Sequence, residues 1–540
     1  MKISGNIVDV KNRETFAGTL YIENGKIQKI ERTNETYSQY ILPGFINAHV
    51  HIESSMLAPA SFAHIAVKHG TVATVSDPHE IANVLGIEGI DYMIDSAAKT
   101  PLKIFFGAPS CVPATSFETA GANINADDIE KLMQRDDIWY LSEMMNFPGV
   151  IFQDKEVHQK LQNAQKQQKP IDGHAPFLVG DDLKKYADAG ITTDHECVTI
   201  EEAKEKIGLG IKVQIREGSA AKNFEALHPL LAEHSDMLML CTDDSHPNDL
   251  QKGFINTLVK RAIAYGYDLY DVLSTVSTNI VSHYHLPVGL LQEGDSADFI
   301  ISKDLKDFEI SATYINGECV FDGKETLFSI PQAAPINNFK RTKIKAEDIA
   351  FPLQKENNIK IIKAIDGDLT TDKLSYQIKE DTANFESELN EDILKIVVLS
   401  RYDNNPVQIA YINGFGMQSG AFASSIAHDS HNIIAVGTND ADLLAAINLL
   451  IENKGGIAYA NASDKESLPL EIAGLMTTQS VEYVAEAYES ISDKIKESGS
   501  KLKAPLMTAA FMSLLVIPKL KLGDKGLFDV EKFAFTNLID

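Results

Sequence analysis

Residues 47–52 read NAHVHI and place two histidines one residue apart among apolar side chains. Successive side chains of a β-strand point to opposite faces, so His49 and His51 share one face and Val50 and Ile52 the other. Two imidazoles on one face, at the carboxyl end of a barrel strand, can bind one metal ion. The alternative is a pair of surface or hydrogen-bonded histidines, because this spacing is common by chance.

Short apolar runs recur through the middle of the chain, separated by stretches long enough for a helix. They lie near 45–52, 71–77, 102–107, 138–145, 170–174, 191–195, 211–217 and 236–243. Strands that alternate with helices predict βα units with parallel strands, and eight such units favour a closed (β/α)₈ barrel.

Strand-like segments also flank this middle region. Asn24-Gly25 and Asn316-Gly317 each separate alternating apolar runs, which is typical of a β-hairpin. Beyond 360, a β-like run at 393–399 and an apolar helix at 440–450 indicate a further α/β region. We therefore predict an α/β fold in three parts. They are a small β-sandwich domain from 1–48 and 284–335, the catalytic barrel at 49–283, and a C-terminal α/β domain at 345–540.

Composition excludes several classes of partner. The 540 residues carry 49 basic and 76 acidic side chains, a net charge of −27, so nucleic acid and membranes are not expected partners. The four cysteines are widely spaced and form no CxxC pair, which argues against a thiolate zinc site and suits a reducing cytoplasm. The first ten residues do not resemble a signal peptide, and the apolar stretch 506–517 is too short to cross a bilayer.

Later strand-like runs also end in residues that bind metals. These are Glu143, His174 and His195, and the adjacent pair Asp243 and Asp244 that ends the eighth run. Each of them alone is as readily explained by a structural role. Four imidazoles and two carboxylates meeting at one rim of a barrel, however, are sufficient for two cations that share a bridging carboxylate.

Such a pair of cations supplies hydroxide at neutral pH by lowering the pKa of bound water. Asp243 or Asp244 is placed to accept the proton of that water and to return it to a leaving nitrogen. The sequence also contains the HxE pattern His51-Ile52-Glu53, but no PCxxC follows it. The cysteine-ligated nucleobase deaminases are therefore excluded.

Several longer stretches carry a family resemblance. They are PGFINAHVHIESSM (43–56), DPHEIANVLG (77–86), SCVPA (110–114), SEMMNFPGV (142–150), REGSAAKN (216–223), CTDD (241–244), AHDSHN (427–432) and GLFDVEKFAF (526–535). The HxH strand and the final aspartate resemble the amidohydrolase superfamily of metal-dependent hydrolases. The remaining stretches resemble, more narrowly, the bacterial adenine deaminases, and the similarity covers nearly the whole chain.

The resemblance implies hydrolysis of adenine to hypoxanthine and ammonia by a divalent metal pair. Manganese is the first expectation, with Fe²⁺ or Zn²⁺ as alternatives that the same donors suit. The implied metal ligands are His49, His51, Glu143, His174, His195 and Asp243. Glu143 then stands where many superfamily members carry a bridging carboxylated lysine.

The resemblance also implies residues for purine recognition and proton transfer. They are Glu217, Asp244, His79, His428, Asp429 and His431. We expect Glu217 to protonate a ring nitrogen. The structural alternatives are an exposed turn for Glu217, a helix start capped by Asp77 for His79, and a polar surface loop for His428 and His431.

Two other functions stay open. One is hydrolysis of a cyclic amide or another heterocycle by the same barrel, and the other is an inactive barrel that serves as an assembly module.

We expect a cytoplasmic homodimer, because large barrels often associate. Some relatives carry an extension before the first strand that this sequence lacks. We expect the absence of this extension to affect substrate affinity and not the metal site.

Overall fold

The computed structural model describes residues 1–219, 221–331 and 334–540. The chain forms two compact units. The first contains Met1–His79, Asp91–Cys111 and Ile124–Ala333, and the second contains Glu80–Ile90, Val112–Asn123 and Ala334–Asp540.

The strands up to residue 321 belong to the first unit. They are β1 (Lys2–Asp9), β2 (Glu14–Glu23), β3 (Lys26–Arg32), β4 (Tyr40–Pro43), β5 (Phe45–His51), β6 (Thr71–Ser76), β7 (Lys103–Ala108), β8 (Ile138–Met144), β9 (Ile171–Gly173), β10 (Thr193–Asp194), β11 (Lys212–Arg216), β12 (Leu238–Cys241), β13 (Asp243–Asp244), β14 (Phe299–Ser302), β15 (Ile310–Ile315) and β16 (Glu318–Phe321).

Helices alternate with these strands, and α2 and α3 lie across the division between the two units. The helices are α1 (Pro59–Ala66), α2 (His79–Leu85), α3 (Ile87–Ala97), α4 (Ala126–Met133), α5 (Phe147–Ile151), α6 (Lys155–Lys166), α7 (Gly180–Asp188), α8 (Ile200–Gly208), α9 (Phe224–Leu227), α10 (Pro247–Lys252), α11 (Ile255–Ala264), α12 (Leu269–Ser274) and α13 (Thr278–Tyr284). Short 3₁₀ helices occur at Ile52–Ser55, Val67–His69, His228–Ala232 and Ser235–Met237.

Strands from both flanks of the middle region join one sheet, in the order β16-β15-β14-β4-β1-β2-β3. The sequence predicted a small β-sandwich domain here. In the structure, hydrogen bonds link the seven strands into a single sheet. The core of this domain includes Leu20 and Phe299. Both Asn-Gly pairs form the expected tight hairpin turns, with positive φ at Asn24, Gly25, Asn316 and Gly317.

The predicted barrel is confirmed. Parallel strands follow the orders β13-β5-β6-β7-β8-β9 and β10-β11-β12. The amide of Thr192, just before β10, donates to the carbonyl of Ile171 in β9 at 2.8 Å and joins these two sheets. On the other side, β13 follows β12 after one residue and pairs with β5, with Asp243 opposite Val50.

Burial on both faces explains the apolar character of the barrel strands, and every residue of β5 and β6 is buried. Because parallel strands start at one rim of a barrel and end at the other, their last residues meet. The histidines of β5 and the acidic residues of β8 and β13 are therefore brought to the same rim.

The second unit has its own sheets. Its strands are β17 (Asn358–Ala364), β18 (Thr371–Gln377), β19 (Leu394–Leu399), β20 (Gln408–Asn413), β21 (Ala421–Ser424), β22 (Ile433–Gly437), β23 (Gly456–Ala460), β24 (Lys465–Pro469), β25 (Leu520–Gly523), β26 (Gly526–Asp529) and β27 (Ala534–Phe535). Its later helices are α14 (Ala346–Ile349), α15 (Asp440–Asn453), α16 (Val481–Glu497) and α17 (Pro505–Ala510), with a 3₁₀ helix at Leu389–Glu391.

The eight strands from β17 to β24 form one sheet, ordered β18-β17-β20-β19-β22-β21-β23-β24. Helix α15 packs on it through Leu443, Ile447 and Leu450, which share a core with Val397 and Ala435. Strand β19 and helix α15 lie where the sequence predicted a strand and a helix. None of the helices in the described ranges is both long and apolar enough to cross a membrane.

Candidate metal centre

The carboxyl rim of the barrel gathers the six residues that the resemblance implied as metal ligands. His49 and His51 lie in β5, Glu143 in β8 and Asp243 in β13, while His174 and His195 directly follow β9 and β10. The His174 side chain is 28% exposed and those of the other five are at most 9% exposed. The cluster is therefore closed except at His174.

Glu143 is the centre of this arrangement, because its two oxygens face different histidines. Oε1 lies 3.2 Å from Nε2 of His51. Oε2 lies 2.7 Å from Nδ1 of His174 and 3.2 Å from Nε2 of His195. Such a division places one oxygen toward each of two groups of ligands, as a carboxylate that bridges two cations requires.

His49, His51 and Asp243 form the first of these groups. The Nε2 atoms of His49 and His51 are 3.1 Å apart, and Oδ1 of Asp243 lies 3.6 Å and 3.1 Å from them. The Nδ1 atom of His51 lies 3.1 Å from the carbonyl oxygen of Asp77. A hydrogen bond from Nδ1–H to this carbonyl leaves a lone pair on Nε2, the nitrogen that faces the centre.

Two further residues that contact the cluster, Glu196 and Arg216, were not predicted as site residues. The guanidinium of Arg216 donates hydrogen bonds to both oxygens of Glu196 and to Oδ2 of Asp243. Oε1 of Glu196 also lies 3.5 Å from His174 and 3.4 Å from His195. Their positions offered a signal, since Glu196 follows His195 and Arg216 ends β11 at the same rim.

The pKa values in this cluster follow from burial and charge. Burial lowers the pKa of His49 to about 4, so its imidazole is neutral. Burial also lowers the pKa of His195, but Glu143 and Glu196 outweigh that effect and raise it to about 10. Burial raises the pKa of Glu143, yet His174, His195 and His51 hold it well below its ordinary value. The centre is thus built around ionised carboxylates.

Burial likewise raises the pKa of Asp243, and the charge of Arg216 together with His49 and His51 brings it well below the ordinary value. Arg216 binds only one of the two carboxylate oxygens, Oδ2. The other oxygen, Oδ1, faces the histidines. The arginine therefore keeps Asp243 ionised while its second oxygen stays directed at the centre.

Three residues predicted for substrate binding lie beside this cluster. Asp244 follows Asp243 in β13 and accepts a hydrogen bond from the hydroxyl of Ser54. His79 lies with Nδ1 3.1 Å from Oδ2 of Asp77 and 3.4 Å from Oε1 of Glu143. Glu217 follows β11, and its Oε1 lies 2.8 Å from Arg261. Its side chain is only 16% exposed, so the alternative of an exposed turn residue is wrong.

The other three predicted substrate residues, His428, Asp429 and His431, belong to the second unit. They are 5%, 5% and 0% exposed, so the alternative of a polar surface loop is wrong. His428 and His431 face the carboxylate of Glu80. The sequence placed Glu80 in a distinctive stretch without assigning it a role.

The donor set fits a pair of divalent transition metals. It combines four imidazoles with two carboxylates, and neutral imidazole with carboxylate suits Mn²⁺, Fe²⁺ and Zn²⁺ alike. His49, His195 and Asp243 form one compact group of potential ligands, and Glu143, His174 and His195 form another. Both groups could hold a metal ion, and they share His195.

Comparisons with known proteins agree with this description. Residues 40–320 match the amidohydrolase family and residues 368–534 match the adenine deaminase C-terminal domain. The chain is 52% identical to an adenine deaminase of Methanosarcina mazei and 51% identical to one of Borreliella burgdorferi, in both cases over 99% of each chain.

Solved structures that align with the chain are more distant. A β-aspartyl dipeptidase from Fervidobacterium islandicum is 14% identical, with a TM-score of 0.47 over 61% of this chain and 100% of that one. A D-hydantoinase is 15% identical, with a TM-score of 0.45 over 61% of this chain and 96% of its own.

Replacing His51 tests the ligand assignment. His51→Ala removes the nitrogen that faces both Glu143 and Asp243, so we expect loss of bound metal, measured by elemental analysis, and loss of activity. His69→Ala is the matched control, because His69 in the same unit binds the carbonyl of Leu250 instead. A His51→Ala protein that keeps the wild-type metal content would contradict the assignment.

The raised histidine pKa values predict that metal binding releases protons. Against burial, carboxylates raise the pKa of His195 to about 10, so this ring carries a proton in metal-free protein at pH 8, and they also raise the pKa of His51. Cations and protons compete for the same nitrogens, and raising the pH therefore favours the metal.

We expect Mn²⁺ added to metal-free protein at pH 8 to release protons, including the one on His195, measured in a weakly buffered indicator solution. The apparent metal affinity should rise between pH 6 and pH 9. His51→Ala is the control and should release fewer protons. Affinity that does not change with pH would show that the rings are already neutral.

Proposed function

Because the chain belongs to the amidohydrolase family and, within it, to the adenine deaminases, we propose that it hydrolyses adenine to hypoxanthine and ammonia. The observation that best supports this chemistry is the division of the two Glu143 oxygens between His51 on one side and His174 and His195 on the other. Enzymes that deaminate a purine need an activated water, and this arrangement of ligands is suited to hold the ions that activate it.

We assign His49, His51, Glu143, His174, His195 and Asp243 as the ligands of a divalent metal pair. Manganese is our first choice, with iron and zinc as alternatives of the same donor preference. When bound, the pair lowers the pKa of a water molecule and so supplies hydroxide at neutral pH. Glu143 provides the bridging carboxylate without the modification that a lysine would require.

Asp243 moves the proton in this proposal. Its Oδ1 atom faces the centre, while Oδ2 is bound by Arg216. As water adds to C6 of adenine, Oδ1 accepts the proton that the water loses. The same oxygen then returns the proton to the amino group, which leaves as ammonia, and the hydroxyl proton of the adduct passes back to the acid that protonated the ring. Arg216 favours the ionised form of Asp243 and so keeps it ready to accept a proton.

Glu217 is our choice for the acid that protonates a ring nitrogen. An aromatic ring accepts a nucleophile more readily when its adjacent nitrogen is protonated. Arg261 binds Oε1 of Glu217 at 2.8 Å, whereas Oε2 is buried and accepts no hydrogen bond from any residue that the structure describes. A buried oxygen without a protein donor is suited to a hydrogen bond with substrate.

Asp244 and His79 complete the proposed substrate site in the first unit. Ser54 donates a hydrogen bond to Oδ1 of Asp244, and Asp77 faces the ring of His79. Burial lowers the pKa of His79, but Asp77 and Glu143 raise it well above its ordinary value. We assign His79 to recognition of the purine on its position beside Glu143.

We further propose that the protein is a cytoplasmic homodimer. Its four cysteines are unpaired, which suits a reducing compartment. Size-exclusion chromatography with light scattering measures the molecular mass in solution.

Ammonia release tests the function against its alternative. Protein loaded with Mn²⁺ should convert adenine to hypoxanthine, with the loss of adenine absorbance matched by ammonia. A cyclic amide hydrolase of the same fold would instead open a cyclic imide ring and leave adenine unchanged. Protein that carries its metal and acts on neither substrate would favour an assembly role.

Replacing Glu217 tests the proposed acid. We expect Glu217→Gln to lower kcat for adenine about 100-fold, since a positioned acid contributes roughly this much, and to leave the metal content unchanged. Glu225→Gln is a matched control, because Glu225 also binds Arg261 but is an exposed residue of α9. Equal kcat values for the two variants would exclude Glu217 as the acid.

A further inference from the structure

The second unit contains a compact cluster of Glu80, His428 and His431 that the proposed reaction does not use. Oε1 of Glu80 lies 2.9 Å from Nδ1 of His428, and Oε2 lies 2.5 Å from Nε2 of His431. The three residues are 2%, 5% and 0% exposed. One carboxylate thus faces two imidazoles in an interior position.

The ring of His431 lies close to Glu80, with Nε2 2.5 Å from Oε2. Neither ring nitrogen of His431 makes a hydrogen bond of acceptable geometry to any residue in the described ranges. A fully buried imidazole rarely lacks such a bond, and a bound ion is one recognised explanation.

Neighbouring residues hold the backbone of His431 and the ring of His428 in place. The amide of His431 donates to the carbonyl of Ala427 at 2.8 Å, and Arg401 donates to the carbonyl of His431 at 3.4 Å. The ring of His428 stacks on Phe511, with 4.5 Å between the ring centroids. These contacts do not involve Glu80, so the two histidines are positioned beside it independently of any ligand.

The charges in the cluster also suit a cation. Burial raises the pKa of Glu80, but the two histidines outweigh burial and hold it well below its ordinary value. Burial lowers the pKa of His431, which favours the neutral ring that a metal ion requires. A buried carboxylate beside a neutral imidazole is stabilised when a metal ion binds both.

We propose that Glu80, His428 and His431 bind one divalent transition metal ion, and that Zn²⁺ is suited to the site. Two imidazoles and one carboxylate form a recognised zinc ligand set, with bond lengths of about 2.0–2.2 Å. Calcium and magnesium are less suitable because they prefer sites composed of oxygen donors.

The ion has a structural role in this proposal. Glu80 belongs to the segment 80–90, which the second unit takes from an early part of the chain, while His428 and His431 belong to its main segment, 334–540. A metal bonded to both segments joins them inside one folded unit, and its binding energy then contributes to folding. His428 and His431 are in this case metal ligands rather than the purine contacts that the sequence predicted.

The test uses the full-length protein, stripped with a chelator, reloaded with Zn²⁺ and freed of excess metal. His428→Asn and His431→Gln are informative because their amide nitrogens replace Nδ1 and Nε2 as donors to Glu80 but do not bind zinc. We expect each variant to hold one zinc ion per chain fewer than wild type. Asp464→Asn is the control, because Asp464 forms an exposed ion pair with Lys494 in the same unit, and it should hold as much zinc as wild type.

Wild-type zinc content in both amide variants would overturn the proposal and leave a hydrogen-bonded triad. A raised KM for adenine with unchanged zinc would instead identify the histidines as purine contacts. His51→Ala, combined with His431→Gln, separates this site from the centre in the first unit. Each substitution should remove its own zinc, so failure of one assignment does not affect the other.

A second measurement is independent of how the variants fold. Wild-type crystals soaked in Zn²⁺ should show an anomalous peak within about 2.2 Å of the Glu80 carboxylate and of both imidazole nitrogens. The absence of a peak there, in crystals that show zinc at the barrel rim, would overturn the proposal.

Discussion

The structure of the barrel rim depends on one buried carboxylate, Glu143, held between histidines on both sides. A buried carboxylate is costly unless it is paired, and here three imidazole nitrogens lie within 3.2 Å of its two oxygens. The histidines come from β5 and from the ends of β9 and β10, so closure of the barrel is what brings them together. The position of the histidines around Glu143, and with it the candidate metal centre, therefore depends on closure of the barrel.

The surrounding charges make the arrangement selective for cations. Glu196 and Asp243 would repel each other in the interior, and Arg216 binds both. The guanidinium balances part of the negative charge and leaves Oδ1 of Asp243 directed inward. A cation that displaces the protons of the histidines gains the interaction with Glu143 and Asp243. The charge of Arg216 thus orients Glu196 and Asp243. The negative charge of Glu143 and of Oδ1 of Asp243 is the charge that attracts a metal ion.

Much of this could be predicted from the sequence, because the residues lie at places defined by local patterns. The HxH pair alternates along a strand, and Glu143, His174, His195 and Asp243 each end or follow an apolar run. Arg216 and Glu196 were not predicted, because their importance depends on neighbours brought close only by barrel closure. The partnership of Glu80 with His428 and His431 was equally hidden, since no local pattern relates segments so far apart in the chain.

The acidic character of the whole chain is consistent with these sites. A net charge of −27 gives a negative potential that attracts divalent cations and has little effect on a neutral purine. The same potential repels phosphorylated purines, because their phosphates carry negative charge. The negative charge of the protein and the imidazole and carboxylate donors of the centre therefore both favour a metal ion. The same negative charge does not hinder an uncharged base. Long-range electrostatics therefore favours the approach of the free base over that of its nucleotides.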